Sequence, residues 1–219
     1  MNFLAFTFFS ILELLAVLIF ILVVFRIELK YYVFRIGFVS ISIPITSYVM
    51  RVYFDLGAQV ASMYLILMLL AFWIFFKFHI FYAALMTLLS LLYLNVVQFS
   101  ELMILDLFQI FNIEDIRPLT FEAYAIQFIF FAFTLILSII LARKRIGFTF
   151  IPFTNDVPLR LVGINLLILI VLVIIAIIFN MSAVYFAEGF SIYFVIITIV
   201  AIIALISLVY LAIRREQID

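Results

Sequence analysis

The chain has 219 residues, no net charge at pH 7 and no cysteine, and 71% of its residues are hydrophobic whereas only 11% are charged. Soluble domains contain roughly 45–50% apolar and about 25% charged residues. This composition therefore excludes a water-soluble globular fold. The lack of cysteine in the sequence also excludes disulfides, thiol chemistry and thiolate metal sites.

Seven apolar stretches meet or approach the roughly 20 residues that a helix needs to cross a hydrocarbon core of about 30 Å. They span residues 3–25, 31–54, 59–76, 81–103, 121–142, 163–180 and 192–213. Because these runs are continuous and lack period-two alternation, they predict helices rather than barrel strands. No repeat or linker divides the chain, so we expect residues 1–219 to form one integral-membrane domain. The predicted fold is an all-α polytopic membrane helix bundle with seven transmembrane helices.

The loop charges predict how this bundle is oriented, since short loops rich in lysine and arginine stay in the cytoplasm. Ten basic and four acidic residues fall on one side of the seven spans, a balance of +6. The other side receives two basic and seven acidic residues, a balance of −5. The amino terminus is therefore predicted outside and the carboxyl terminus in the cytoplasm. A six-span alternative without 59–76 would place either 143–145 or 26–30 on the acidic side.

Two junctions stand out for their composition. Residues 104–118 carry apolar side chains at helical spacing, which predicts an amphipathic helix that Pro118 ends. Residues 143–161 combine a basic cluster with aromatic rings, a mixture that suits the lipid headgroup layer.

His79, the only histidine, lies in a tight turn between two spans. We interpret it as an interfacial residue rather than a phosphoacceptor or a metal ligand.

Glu13 is the clearest intramembrane polar residue, and an ionisable side chain at bilayer depth costs on the order of 2.5–3.5 kcal/mol. At 1.5 Å per residue it lies about 15 Å below the outer end of the first span. Pro44 occupies the corresponding depth in the second span, and its ring frees a backbone carbonyl near Ser40. We therefore expect Glu13 to face this kink.

Further polar residues gather in the outer halves of the first five spans, with the hydroxyls of Tyr53, Tyr93 and Tyr124 nearby. The predicted ligand-binding residues are Glu13, Arg51, Asn95, Gln98, Glu101, Glu122 and Gln127. The sixth and seventh spans are almost wholly aliphatic, so the first five helices should surround a pocket that opens outward. Alternatively, these groups only hydrogen-bond between helices and hold the bundle, at about 0.6 kcal/mol each.

No enzymatic function is predicted from these residues. Intramembrane proteases and transferases need paired acids, a serine with a base, or a histidine cluster in one plane. The sequence offers none of these sets. We therefore expect no catalytic residue, no metal site, no cofactor and no nucleic-acid partner.

The seven spans, the Phe- and Ile-rich composition, the short basic loop 142–145 and the charged exit 210–219 resemble a known family. It is the membrane sensor module of peptide-sensing histidine kinases of the accessory-gene-regulator and competence type from Gram-positive bacteria. The resemblance implies a bacterial cytoplasmic membrane, an extracellular peptide, a cytoplasmic kinase partner and a homodimer. The sequence stops at Asp219, where that family continues with its phosphoacceptor helix and ATP-binding domain. A signal would need a further segment or a separate partner.

Three functions follow as hypotheses. The leading one is a receptor-like sensor module that binds an extracellular hydrophobic or peptide ligand and couples through its last helix to a cytoplasmic partner. The second is a small-solute carrier or the substrate-binding subunit of a multi-component importer. The few glycines and the lack of Gly-x-x-x-Gly in the sequence weaken that hypothesis, because close helix approach uses small residues. The third is an accessory membrane assembly protein.

Overall fold

A computed structural model describes residues 3–56, 59–109, 120–151, 163, 165–171, 173–174 and 191–217. All regular secondary structure within these residues is helical. The long helices are α1 (Phe3–Val24), α2 (Val33–Val52), α3 (Val60–Leu70), α4 (Ile80–Leu107), α5 (Phe121–Lys144) and α6 (Ser191–Glu216). A 3₁₀ turn, Leu29–Tyr31, precedes α2, and a π-helical turn, Ala71–Phe75, continues α3. Residues 165–171 are also helical.

Among the described residues, four helices are long and apolar enough to cross a membrane. They are Phe3–Val24, Val33–Val52, Ile80–Leu105 and Phe121–Lys144, and shorter apolar helices cover Ser62–Phe75 and Ile199–Arg214. The predicted all-helical class is thereby confirmed, and helices of this length and composition are compatible with the predicted membrane protein. Helical residues also occur in each of the other three predicted spans, although much of 163–180 lies outside the described residues.

α1 is the central helix of the bundle. It packs along α5 on one side and α2 on the other, and it also contacts α4. α3 bridges α2 and α4, whereas α6 packs on α4. Leu14, Leu18, Ile21 and Leu22 of α1 are almost completely buried. A helix that is apolar on all sides is expected at such a central position, because each of its faces meets a neighbour.

Ring contacts establish how the helices run relative to α1. Phe9 stacks on Tyr124 near the start of α5, and Phe20 packs with Phe130 further along both helices. α1 and α5 are therefore parallel. Phe3 at the start of α1 contacts Tyr48 near the end of α2, so these two helices are antiparallel.

The bundle has a basic and an acidic end. The basic end holds the last residues of α1 and α5, where the Arg26 guanidinium donates to the backbone carbonyl of Arg145. It also holds the start of α2 and the end of α3, where Arg35 Nη1 donates to the carbonyl of Phe76 at 3.3 Å. The opposite, acidic end holds the starts of α1, α3 and α5 and the ends of α2 and α4. The charged residues whose side chains are described there are Arg51, Asp55, Glu101 and Glu122.

Residues 145–151 form a loop that folds beneath the end of α1. The backbone N–H of Phe148 donates to the carbonyl of Val24 at 2.8 Å. Phe148 and Phe150 lie 5.9 and 5.8 Å from the ring of Phe25, and Phe150 is buried. The rings expected in the headgroup layer thus face the protein at these two positions, because the end of α1 offers them an apolar surface. Residues 152–161 of that predicted interfacial segment lie outside the described residues.

Two further expectations about local structure have clear outcomes. α4 continues to Leu107, so the first residues of the predicted amphipathic helix 104–118 belong to α4. The remainder, from residue 110 onward, lies outside the described residues. His79 precedes α4, and its Nδ1 accepts the backbone N–H of Phe81 at 3.3 Å. This contact fits the predicted role of His79 in a turn.

Lys30 within the 3₁₀ turn and Tyr32 directly after it have shifted pKa values. The carboxylate of Glu28 lies 2.6 Å from the Lys30 amine and raises the pKa of that amine. Tyr32 stacks on Phe76 with ring centroids 5.4 Å apart. Its partial burial raises the pKa of its hydroxyl.

Candidate functional site

Glu13 lies in the middle of α1 and is held by two amides from other helices. Nε2 of Gln98, on α4, donates to Oε1 of Glu13 at 2.6 Å. Nε2 of Gln127, on α5, donates to Oε2 at 2.9 Å. Each carboxylate oxygen therefore has a partner, and hydrogen bonds to a charged acceptor are roughly twice as strong as neutral ones. Three helices are joined at one carboxyl group.

The expectation that Glu13 faces the Pro44 kink is wrong. Glu13 shares its face of α1 with Val17 and Phe20, four and seven residues later, and these pack against α4 and α5. The hydroxyls of α2 instead bond to their own helix, since Ser40 donates to the carbonyl of Gly37 at 3.0 Å and Thr46 to that of Ser42 at 2.8 Å. Such back-bonding satisfies a hydroxyl without any partner from another helix.

Three further polar side chains interact electrostatically with Glu13. Arg51 in the last turn of α2 interacts electrostatically with Glu13, as does Glu101 of α4. Tyr64 of α3 also lies within reach of this charge. We refer to Glu13, Gln98, Glu101 and Gln127 as the carboxyl–amide cluster.

Three acceptor atoms of the carboxyl–amide cluster are buried without a hydrogen-bond partner among the described residues. They are both carboxylate oxygens of Glu101 and Oε1 of Gln127. Because the Gln127 amide nitrogen is fixed on Glu13, its carbonyl oxygen must point elsewhere. A buried acceptor without a partner costs about 1–3 kcal/mol, so these atoms require an explanation.

An aromatic pair borders the cluster towards the acidic end. Phe9 is one helical turn before Glu13, and Tyr124 is one turn before Gln127. Their rings stack 5.1 Å apart with an interplanar angle of 14°. Glu101 lies one turn beyond Gln98 on the antiparallel α4, which places it at the same level as the aromatic pair.

The remaining predicted site residues stay apart from the cluster. Asn95 Nδ2 donates to the carbonyl of Leu91 on its own helix at 2.7 Å. Glu122 occupies the first turn of α5, next to the N-cap Thr120. Tyr93 lies deeper, where its hydroxyl is 3.0 Å from Thr134 Oγ1. Of the seven predicted residues, hydrogen bonds therefore join Glu13, Gln98 and Gln127, and charge interactions add Arg51 and Glu101.

Sequence reasoning missed Tyr64 and Phe9. Both occur in strongly apolar stretches, where an aromatic residue gives no compositional signal. Counting depth would have found Tyr64, since it lies near the start of α3 at the acidic end. Phe9 could be recognised only once Gln127 was known to be the partner of Glu13.

The cluster can accept hydrogen bonds and balance positive charge. Within the described part of the chain, no group of three or more histidine, cysteine, aspartate or glutamate residues could hold a metal ion. Comparison of the chain with protein-family models, curated proteins and solved structures gives no significant match. The similarity to peptide-sensing kinase modules thus stays a prediction from layout and composition.

Proposed function

We propose that the chain is a receptor-like membrane module that binds an extracellular ligand at the carboxyl–amide cluster and couples through α6 to a cytoplasmic partner. The observation that carries the proposal is the position of α4. This helix supplies Gln98 and Glu101 to the cluster and also packs along α6. A ligand that changes the contacts of α4 would therefore bias α6 directly.

The proposal includes seven membrane crossings with the amino terminus outside. Parallel packing of α1 and α5 supports it, because an odd number of crossings must then separate them, and α2, α3 and α4 supply three. A six-span chain without α3 would make α1 and α5 antiparallel. The clustering of Arg26, Arg35 and Arg145 at one end supports a cytoplasmic location for that end.

A second contact links α6 to the rest of the bundle at the basic end. The backbone N–H and the hydroxyl of Thr149 donate to the two carboxylate oxygens of Glu216, at 2.8 and 2.5 Å. The loop that carries Thr149 follows α5 and is bonded to Val24 at the end of α1. The end of α6 is thus tied to the two helices that hold Glu13 and Gln127.

A ligand shifts such a receptor only if it binds two helix arrangements with different affinities. We therefore expect the position or rotation of α6 to change when the cluster is altered. Fusing Asp219 to a dimeric kinase core through linkers that grow one residue at a time tests this. The activity should oscillate with roughly the 3.6-residue helical period.

Variants of the fusion make the test specific to the cluster. Glu13→Leu removes the acceptor for both amides and should change the kinase activity at a fixed linker length. Ser100→Ala is the matched control, because the Ser100 hydroxyl bonds to the carbonyl of Val96 on its own helix at 2.7 Å. Activity that is flat across a full turn of insertions, in a fusion shown to be inserted and dimeric, would reject the sensor function.

A further inference from the structure

We infer that the carboxyl–amide cluster binds a primary ammonium group, of a small amine or a peptide amino terminus, as the anchor of its ligand. The inference rests on the proposed function in one respect, namely that the cluster is reached from outside the cell. It adds the chemical class of the ligand, which the sensor proposal leaves open.

The first argument is the type of atom in the cluster that has no hydrogen-bond partner. The amide nitrogens of Gln98 and Gln127 both donate to Glu13. The buried atoms without partners are acceptors, namely two oxygens of Glu101 and one of Gln127. With Glu101 ionised, a ligand must therefore donate hydrogen bonds here. A primary ammonium group has three N–H donors, as a lysine side chain does, and so matches three acceptors.

The second argument is charge. The carboxyl group of Glu13 interacts with that of Glu101 and with the guanidinium of Arg51. When both carboxyl groups are ionised, the two carboxylates and the one guanidinium carry one net negative charge. Burying an uncompensated charge is strongly unfavourable, so a bound cation would stabilise the site.

The third argument is the aromatic pair. Phe9 and Tyr124 stack at the level of Glu101, on the side of the cluster towards the acidic end. A ring face that is not covered by the neighbouring ring attracts an ammonium group, by about 0.5–2 kcal/mol depending on desolvation. The same rings offer an apolar wall to the remainder of the ligand. Together, the rings and carboxylates favour an organic cation.

A hard divalent metal ion fits these residues less well. Calcium takes six to eight oxygen ligands and magnesium demands near-octahedral geometry. The three buried oxygens without partners belong to only two side chains, one carboxylate and one amide.

The test uses the purified full-length chain in lipid nanodiscs and isothermal titration calorimetry. The probes are n-octylamine, octyltrimethylammonium, which lacks N–H donors, and n-octanol, which lacks the charge. Octylamine should bind at least tenfold more tightly than either of the other two. Glu101→Gln should weaken octylamine binding at least tenfold. Asp55→Asn, which removes an exposed acid at the same end, should leave it unchanged.

A second pair of probes identifies the source of the ammonium group. Trileucine amide with a free amino terminus is compared with its acetylated form. Binding of the free form alone points to a peptide ligand, whereas binding of octylamine but neither peptide points to a small amine. Glu101→Gln replaces a buried carboxyl group by a neutral amide of similar size, so this variant should fold. Its thermal unfolding curve verifies that it does.

Equal binding of octyltrimethylammonium and octylamine, or unchanged octylamine binding by Glu101→Gln, would overturn the ammonium site. This failure is distinguishable from failure of the proposed function. If octylamine binds but the kinase activity does not change along the linker series, the sensor function is rejected and the ammonium site is retained. If the kinase activity oscillates along the linker series but octylamine does not bind, the ammonium site is rejected and the sensor function is retained.

Discussion

Glu13 illustrates how one residue connects the parts of this bundle. Its depth in the first predicted span marks it as unusual. In the structure, side-chain amides from α4 and α5 donate hydrogen bonds to its two carboxylate oxygens. A carboxyl group with two partners on different helices fixes the relative register of all three. Glu13 therefore has a structural role in addition to the proposed role in ligand binding.

A double-mutant cycle measures this structural role. Glu13→Leu and Gln127→Leu each remove one side of the 2.9 Å hydrogen bond, so their effects on the free energy of unfolding should not add. We expect a coupling of about 0.6 kcal/mol, and at most about 1.7 kcal/mol, the range for hydrogen bonds between membrane helices. Unfolding in bicelles by steric trapping provides the measurement. The cycle of Glu13→Leu with Ser100→Ala should give none; equal coupling in both cycles would contradict the pairing.

At the residue scale, the sequence predicts which polar groups belong to the outer pocket but not which helices face one another. Glu13, Gln98 and Gln127 are assigned to one outer pocket because each lies in the outer half of its predicted span. The partner of Glu13 was misassigned to α2. From Leu14 to Val23, α1 is apolar all round and mostly buried, so its periodicity could not indicate which face meets which neighbour.

Among the elements, the loop 145–151 differs most from its sequence-based description. Its basic residues predicted an interfacial loop, yet its backbone closes against the end of α1. Gly147 has φ +154°, and a Cβ there would lie 2.5 Å from the carbonyl oxygen of Val24. The loop therefore requires glycine at this position for close approach as well as for conformation. Composition alone does not reveal such a contact, because it depends on the tertiary neighbour.

Substituting this glycine tests the importance of the loop. Gly147→Ala should lower the free energy of unfolding by about 1–3 kcal/mol, since it combines a disfavoured φ with a backbone clash. Gly37→Ala is the matched control, because open space surrounds its Cβ position within α2. It should raise helix stability by about 0.5–1 kcal/mol. Thermal unfolding of both variants in the same detergent makes the comparison, and a Gly147→Ala protein as stable as the parent would show that the loop does not pack as described.

The boundaries of the helices were predicted better than their contacts. Apolar runs give length directly, so α1, α2 and α5 agree with their predicted spans within a few residues. α4 extends beyond its predicted end at 103 because Ile104 and Leu107 continue its helical pattern. No proline or glycine interrupts the chain there to mark an end.

For the whole molecule, the proposed topology depends on which helices cross the membrane. It places the carboxyl–amide cluster towards one end of the bundle and the basic contacts at the other. α3 determines it. This helix has eleven α-helical residues followed by the π-helical turn Ala71–Phe75, and it is shorter than its neighbours. If α3 crosses, the parallel packing of α1 and α5 follows without any further assumption.

Single cysteines test this topology, since the sequence contains none. Tyr53 and Phe108 are exposed at the acidic end, whereas Tyr31 and Ile80 are exposed at the basic end. In intact cells, cysteines at Tyr53 and Phe108 should react with an impermeant maleimide, and those at Tyr31 and Ile80 should react only after permeabilisation. Tyr53 and Ile80 flank α3, so labelling of both from outside would show that α3 does not cross. Labelling of Tyr31 and Ile80 alone would instead reverse the orientation and place the carboxyl–amide cluster nearer the cytoplasm, where no extracellular ligand could reach it.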